Sequence, residues 1–321
     1  MRSRIGIITN PESHRNKTGY ADIRDAVAGD PDVVHAEIGS IADVAAALKD
    51  FAARDVGIVV PNGGDGTVIA ALTEIFEHRP FSKPPLIGVL PRGLTNMIAA
   101  DVGLGGRSDA ALRRLISLNR DGSVQRHVLT RHLIRMEGAA GVPPQVGLFF
   151  GSAGLTRAIL ACRETIARTG LSPAAAAALM IGRVLIGKPA SASNDGAIFR
   201  GDGIALTSDG TAEPETQYLL LLVTTLERMI LRSRPFWGDG DGHLRFTAVR
   251  HPPRRLLRAI LPLLYGGKGR RLPNDDYVSR RASRIEIRMD CPFTLDGQMF
   301  DPDPDRPVVL TDEYQASFVR A

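Results

Sequence analysis

Only two cysteines, Cys162 and Cys291, occur in 321 residues, far apart and outside any CxxC spacing, which excludes a disulfide framework and a cysteine zinc site. Aromatic residues make up 5% of the chain, too few for the stacking platforms that hold single-stranded nucleic acid, so no nucleic-acid partner is expected. Long hydrophobic runs are scarce as well. The amino terminus MRSRIGIITN leads straight into a strand-like segment without the apolar core of a signal peptide. The most apolar later stretch, Ala174 to Ile186, is too short to span a bilayer and is interrupted by Arg183. A cytoplasmic setting is therefore expected. There is no GxxxxGK[ST] loop and no HExxH, the seven histidines form no ligand pattern, and Gly151-Ser152-Ala153-Gly154 lacks the spacing of a nucleophile elbow. What is left, with 44% hydrophobic and 23% charged residues, is an ordinary globular chain long enough for two domains.

The net charge of +5 is modest but unevenly placed. Arg254, Arg255, Arg258, Lys268, Arg270, Arg271, Arg280, Arg281 and Arg284 face only Asp275, Asp276 and Glu286 in the same stretch. A basic surface of this kind attracts anionic lipid headgroups or phosphorylated ligands, and with so few aromatics lipid or nucleotide is preferred over RNA.

The most informative residues are Asn62-Gly63-Gly64-Asp65-Gly66-Thr67, between an apolar run (Val56, Ile58, Val59, Val60) and an amphipathic one (Val68, Ile69, Leu72, Ile75, Phe76). Asn-Gly and Asp-Gly are hairpin signals in isolation. The helical spacing of the residues that follow favours instead a strand, a glycine loop and a helix, the arrangement whose free N–H groups and positive dipole end bind phosphate. Asp65 would repel phosphate unless magnesium lies between them or the carboxylate acts on a hydroxyl, so the loop points to phosphoryl transfer.

Strand-like segments at residues 4 to 9, Val33 to Ile38, Val56 to Val60 and Leu86 to Leu90 alternate with helical stretches. These lie at about Gly19 to Ala28, Ile41 to Ala53 with Ser40 as cap, Thr67 to His78, and Met97 to Val102. This βαβ pattern predicts a parallel sheet. The loops starting at Asn10, Asn62 and Pro91 should then share the carboxyl edge where such sheets bind ligands. After about Gln125 short alternating stretches take over (His132 to Met136, Leu148 to Phe150, Tyr218 to Thr224, Leu244 to Val249, Arg284 to Met289). Helices are expected near Leu155 to Arg168, Pro173 to Ile186 and Arg254 to Leu264. The expected architecture is an α/β nucleotide-binding domain over residues 1–125 and a β-rich domain over 126–321.

These residues resemble the diacylglycerol kinase catalytic-domain family of lipid kinases, which includes bacterial diacylglycerol kinases and sphingosine kinases. The resemblance rests on Asn10-Pro11 with Ser13, Gly63 to Thr67, Pro91 to Asn96, Phe150 to Gly154, and Leu295-Asp296-Gly297. It implies that ATP binds the first domain and that a β-sandwich second domain closes the other side. It also implies that Gly63, Gly64, Gly66 and Thr67 cradle phosphates, and that Asn10, Gly93, Thr95 and Asn96 contact the nucleotide. Asp65 would anchor magnesium, Asp296 would be the general base, and Asp241 in WGDGDG would map onto a structural metal site. Asp296 read alone is a turn residue, since Asp-Gly between strand-like segments is common.

Two residues depart from the family. Gln298 stands where a Glu is usual and cannot take a proton, and Leu94 replaces a Thr, removing a hydroxyl from the phosphate side. The leading expectation is an ATP- and magnesium-dependent kinase of a membrane lipid hydroxyl, visiting an anionic membrane surface. The alternatives are a non-catalytic lipid- or nucleotide-binding homologue and an NAD kinase-like enzyme. A homodimer is compatible with the sequence and required by nothing in it.

Overall fold

The computed structural model describes residues 2–11, 23–24, 29–91, 96–185, 198–267, 269–272 and 276–320. Two compact units are present: Met1–Leu133 with Gln145–Gly147 and Tyr314–Ala321, and Ile134–Pro144 with Leu148–Glu313. The chain therefore does not divide at 125, because distant segments return to the first unit to complete it. The expected helix near Gly19 to Ala28 lies largely outside the described residues.

The first unit contains β1 (Arg4–Thr9), β2 (Val33–Glu37), α1 (Asp43–Ala53), β3 (Val56–Asn62), α2 (Asp65–Thr73) continued by a π-helical turn (Glu74–His78), and β4 (Leu86–Ile87). It goes on through α3 (Met97–Val102), α4 (Ser108–Arg120), β5 (Val128–His132) and the chain's last strand, β18 (Gln315–Val319). The strand order is β2-β1-β3-β4-β18-β5, parallel except for the β5–β18 pair. β3 is central and, apart from Gly57, buried throughout, which is why its sequence VGIVVPN is almost uniformly apolar instead of alternating. On one face of the sheet, Ala111, Leu112, Leu115 and Ile116 of α4 meet Ile5, Ile7, Ile58 and Val60.

Local chemistry shifts one expected boundary. α1 starts at Asp43 instead of Ile41, and Ser40 is not its cap. Asp43 Oδ2 accepts from the amides of Gly39 (3.0 Å) and Ser40 (2.8 Å) and from the Ser40 hydroxyl (3.1 Å), so a first-turn carboxylate ties down the residues before the helix.

The second unit holds β6 (Ile134–Glu137), β8 (Phe149–Ala153), α5 (Gly154–Thr169), α6 (Pro173–Leu185), β9 (Asp202–Ser208), β10 (Thr211–Ala212) and β11 (Thr216–Thr224). β12 (Leu244–Arg250), α7 (Leu256–Tyr265), β13 (Tyr277–Ala282), β14 (Arg284–Met289), β15 (Phe293–Leu295), β16 (Gln298–Phe300) and β17 (Val308–Thr311) follow; β7 (Gln145–Gly147) belongs to the first unit. The main sheet runs β16-β15-β8-β11-β9-β14-β17-β6, with β12 and β13 added from β11 and every pairing antiparallel. One continuous antiparallel sheet curls on itself around a shared core. Phe150, Leu221, Phe246, Ile285, Phe293 and Leu310, drawn from six strands, share a single core.

The segment Gly238-Asp239-Gly240-Asp241-Gly242 lies flat along β13. A Cβ at Gly238 would sit 2.0 Å from the Ser279 carbonyl oxygen, one at Gly240 2.5 Å from that of Arg281, and one at Gly242 1.8 Å from the Ala282 carbonyl carbon. The Arg281 amide donates to the Asp239 carbonyl (3.2 Å), and both aspartate side chains are exposed. Alternate glycines thus meet backbone, which cannot move aside as a side chain can. Gly242→Ala should lower stability by about 2 kcal/mol or more, whereas Asp241→Asn should change it by less than about 0.5 kcal/mol, both read from urea unfolding.

Candidate active site

Register fixes the candidate residues of the first unit. Thr9 pairs with both Glu37 and Asn62, so the carboxyl ends of β1, β2 and β3 lie level at one edge. Thr9 and Asn62 are fully buried there, and Asn62 Nδ2 donates to Thr9 Oγ1 at 3.0 Å. His35 Nε2 lies 2.8 Å from the same hydroxyl, and the Asn10 amide donates to the Asn62 carbonyl at 3.1 Å. Asn10 and the glycine loop therefore leave the sheet side by side, as the parallel pattern predicts. Burial pushes the His35 imidazole below its usual pKa of 6.5.

The glycine loop enters α2 two residues earlier than the expected Thr67. Gly64 is the N-cap in an extended conformation, and its carbonyl accepts from Thr67 (3.0 Å) and Val68 (3.3 Å). Asp65 and Gly66 form the first turn, where the helix dipole favours a carboxylate. A Cβ at Gly63 would lie 2.3 Å from Thr67 Oγ1, so the Thr67 side chain, 1% exposed, is packed on Gly63 and clamps the loop. At Gly64 a Cβ would meet nothing within 4 Å, which leaves an open approach beside Asp65.

The third loop is described only at its ends. Gly93, Leu94 and Thr95 lie outside the described residues. Asn96 is the N-cap position of α3 with φ 49°, but it makes no side-chain cap bond. Its Oδ1 is buried without a hydrogen-bond partner among the described residues, as an atom awaiting a ligand donor would be.

In the second unit, Asp296 and Gly297 are the two central residues of the β15–β16 hairpin, with φ 46° and 93°, so the turn reading of Asp-Gly holds. A hairpin turn is ordinarily in water, yet Asp296 is 4% exposed. Its Oδ2 accepts from the Leu148 amide (2.9 Å), and its own amide donates to the Phe149 carbonyl (2.7 Å). The Leu148 carbonyl in turn accepts from the Thr225 amide (3.0 Å) and the Thr224 hydroxyl (2.9 Å), both threonines being buried. Arg163 of α5 donates to the Gly297 carbonyl. Thr224, Thr225 and Arg163 carry no motif signal; the folded β8–β11 pairing reveals the threonines, and the α5 contact with the hairpin reveals the arginine. Gln298 is exposed, and its side chain makes no hydrogen bond among the described residues.

Other chemistries find no support here. Burial raises the pKa of both Cys162 and Cys291, the reverse of an activated thiol. Ala153 occupies a sharp strand-to-helix turn (φ 59°, ψ −136°) but offers only a methyl group. Among the described residues, Asp241 belongs to no cluster of three or more ligand-type side chains. Asp65 joins no such cluster either, but one carboxylate beside phosphate oxygens is the usual protein share of a magnesium site. No described helix is long and apolar enough to cross a membrane.

Residues 4–124 match the family described as diacylglycerol kinase catalytic domain. That stretch is similar to this family, and it falls within the first unit. A solved diacylglycerol kinase from Bacillus anthracis str. Sterne superposes with a TM-score of 0.61 at 17% identity, over 99% of this chain and 97% of that one. Another structure from the same strain superposes with a TM-score of 0.65 at 16% identity over the same shares. At these identities the likeness is one of fold, and it extends through both units. An NAD kinase from Archaeoglobus fulgidus, solved with ATP, reaches a TM-score of only 0.47 at 12% identity and carries no argument. None of the curated proteins compared matches the chain.

The depressed His35 pKa makes the first unit acid-sensitive. Because the unfolded chain binds a proton more readily than the folded one, stability is retained above the ordinary value of 6.5 and declines as pH falls below it. Melting temperature should drop between about pH 7 and pH 5.5, and the drop should be shallower in His35→Gln.

Proposed function

We propose that the chain transfers the γ-phosphoryl group of ATP to the hydroxyl of a membrane lipid of the diacylglycerol type, with magnesium. The observation that carries this reading is the buried carboxylate of Asp296, held in one orientation by the Leu148 amide where a turn residue would ordinarily be solvated. A lipid hydroxyl titrates far above neutral pH, so its proton needs an acceptor as the oxygen attacks phosphorus. In this reading Asp296 takes that proton, the new P–O bond forms on the lipid oxygen, and ADP leaves with the electrons of the broken bond.

Gly63, Gly64 and Gly66, with the first turn of α2, receive the phosphates. Thr67 keeps the loop closed on Gly63. Asn10, Gly93, Thr95 and Asn96 are assigned to the nucleotide, the buried Asn96 Oδ1 supporting its share. Asp65 would hold magnesium, which when bound neutralises phosphate charge. Asp241 is a weaker metal candidate, because its exposed side chain projects from a strip whose glycines already have a packing role.

A second reading, a binding protein with little turnover, draws support from Gln298: with no hydrogen bond to Asp296 it does not orient the base. The discriminating experiment incubates the protein with labelled ATP, magnesium and either mixed lipid extract or NAD. Label should enter lipid, and Asp65→Ala and Asp296→Asn should each reduce the rate by about 100-fold or more while the melting temperature is kept. Label in NAD alone would replace the acceptor. Nucleotide binding by calorimetry with no transfer, even in Gln298→Glu, would support the binding protein.

A further inference from the structure

Seven large hydrophobic side chains are exposed in the described chain, and six of them come from one helical layer of the second unit: Leu160, Leu171, Leu179, Leu257, Leu261 and Tyr265. Helix α6 packs on both α5 and α7, so the layer is continuous. On α7 the exposed residues follow a strict helical repeat, Leu257 (49%), Leu261 (53%) and Tyr265 (51%), each four positions from the last. The opposite face, Ala259 and Leu263, is buried against Leu219, Val249 and Tyr277. The outward stripe is therefore not a frayed core helix.

The helix is also fixed at its carboxyl end. The Arg270 guanidinium donates to the carbonyls of Leu263, Gly267 and Arg234, and it lies 4.7 Å from the Trp237 ring centroid. The Tyr265 hydroxyl donates to the Leu231 carbonyl (3.2 Å). An apolar stripe held out in this way is a permanent surface that needs a cover.

Charge says what kind of cover. No Asp or Glu occurs between Arg250 and Asn274, and none between Thr165 and Asn194, so both α6 and α7 lack acids. Exposed Arg255 and Arg258 have no ion-pair partner among the described residues, while Arg254 shares Asp276. An apolar stripe beside unpaired arginines is the chemistry of a helix lying in a membrane interface, with leucines among acyl chains and guanidinium groups at phosphates. A second copy across a twofold axis would set the arginines against their own kind.

We propose that the outward face of α7, with Leu257, Leu261 and Tyr265 flanked by Arg255 and Arg258, docks the protein on an anionic lipid bilayer. The inference deepens the membrane-lipid reading by assigning the face that meets the bilayer, and its test does not depend on turnover. Full-length protein is floated with phosphatidylcholine vesicles and with vesicles containing phosphatidylglycerol. Wild type should float with the anionic vesicles. Arg255→Gln with Arg258→Gln should weaken binding about fivefold per arginine, and the difference should vanish in high salt. Leu257→Ser with Leu261→Ser should weaken it roughly tenfold or more.

Circular dichroism checks that the variants fold. Should the leucine pair unfold, Leu261→Trp with brominated acyl chains reads the same contact: quenching supports the proposal and its absence overturns it. Wild type that ignores anionic vesicles, folded variants that float equally, or a wild-type dimer that Leu257→Ser with Leu261→Ser dissociates would each overturn it. If α7-dependent flotation occurs but no lipid is labelled, the acceptor assignment fails and the docking face stands. If detergent-dispersed lipid is labelled but flotation ignores α7, the docking face fails and the acceptor assignment stands.

Discussion

The buried hydrogen bond between Asn62 and Thr9 is the interaction on which the amino-terminal site depends. Each residue is the last of its strand, and each is followed directly by a loop assigned to nucleotide. Joining the two side chains in the interior, where an unpaired polar group is expensive, sets the loops level at the sheet edge. His35, mid-strand on neighbouring β2, reaches the same hydroxyl, so three strands share one polar node. The glycine loop needs little further help: Thr67 folding onto Gly63 closes it, and the start of α2 supplies its field.

The second unit solves a different problem, holding a carboxylate out of water in one orientation. Asp296 is placed by backbone: positive φ in a two-residue turn, one amide donor from Leu148, one carbonyl acceptor from Phe149. Aspartate tolerates this conformation better than most residues, and glycine follows it for the same reason. The Leu148 peptide is anchored from its other side by Thr224 and Thr225, so the orientation of the carboxylate is set by strands β8 and β11 and not by a mobile loop.

Much of this was legible in the residues. The βαβ pattern was readable because a central parallel strand is apolar throughout and its helices repeat every three to four residues, as β3 and α2 do. The strand-to-helix glycine loop was readable because glycine, aspartate and helix spacing are all local. Helix α4 went unread although Ala111, Leu112, Leu115 and Ile116 form a helical face, and it supplies much of one core. Strand β18 was hidden for a better reason: its partners β4 and β5 are about two hundred positions away, and pairing at that distance leaves no local trace. The Ser40 cap failed because its hydroxyl donates to the Asp43 carboxylate instead of accepting from a helix amide, and that carboxylate gathers the amides before the helix. At Asp296 the hairpin turn was legible in the residues, whereas its burial was not.

The glycine–aspartate strip along β13 has a consequence beyond packing. Among the described residues β13 pairs with β12 alone, so its other side is the rim of the sheet, a row of backbone groups able to recruit a strand from another molecule. The strip occupies that rim while forming no regular ladder, and it turns two negative charges outward. A foreign strand would have to displace backbone already pressed against β13 and then approach like an intruder into a charged fence. The rim is thus covered by backbone, and the cost is intolerance of side chains at every second residue of the repeat.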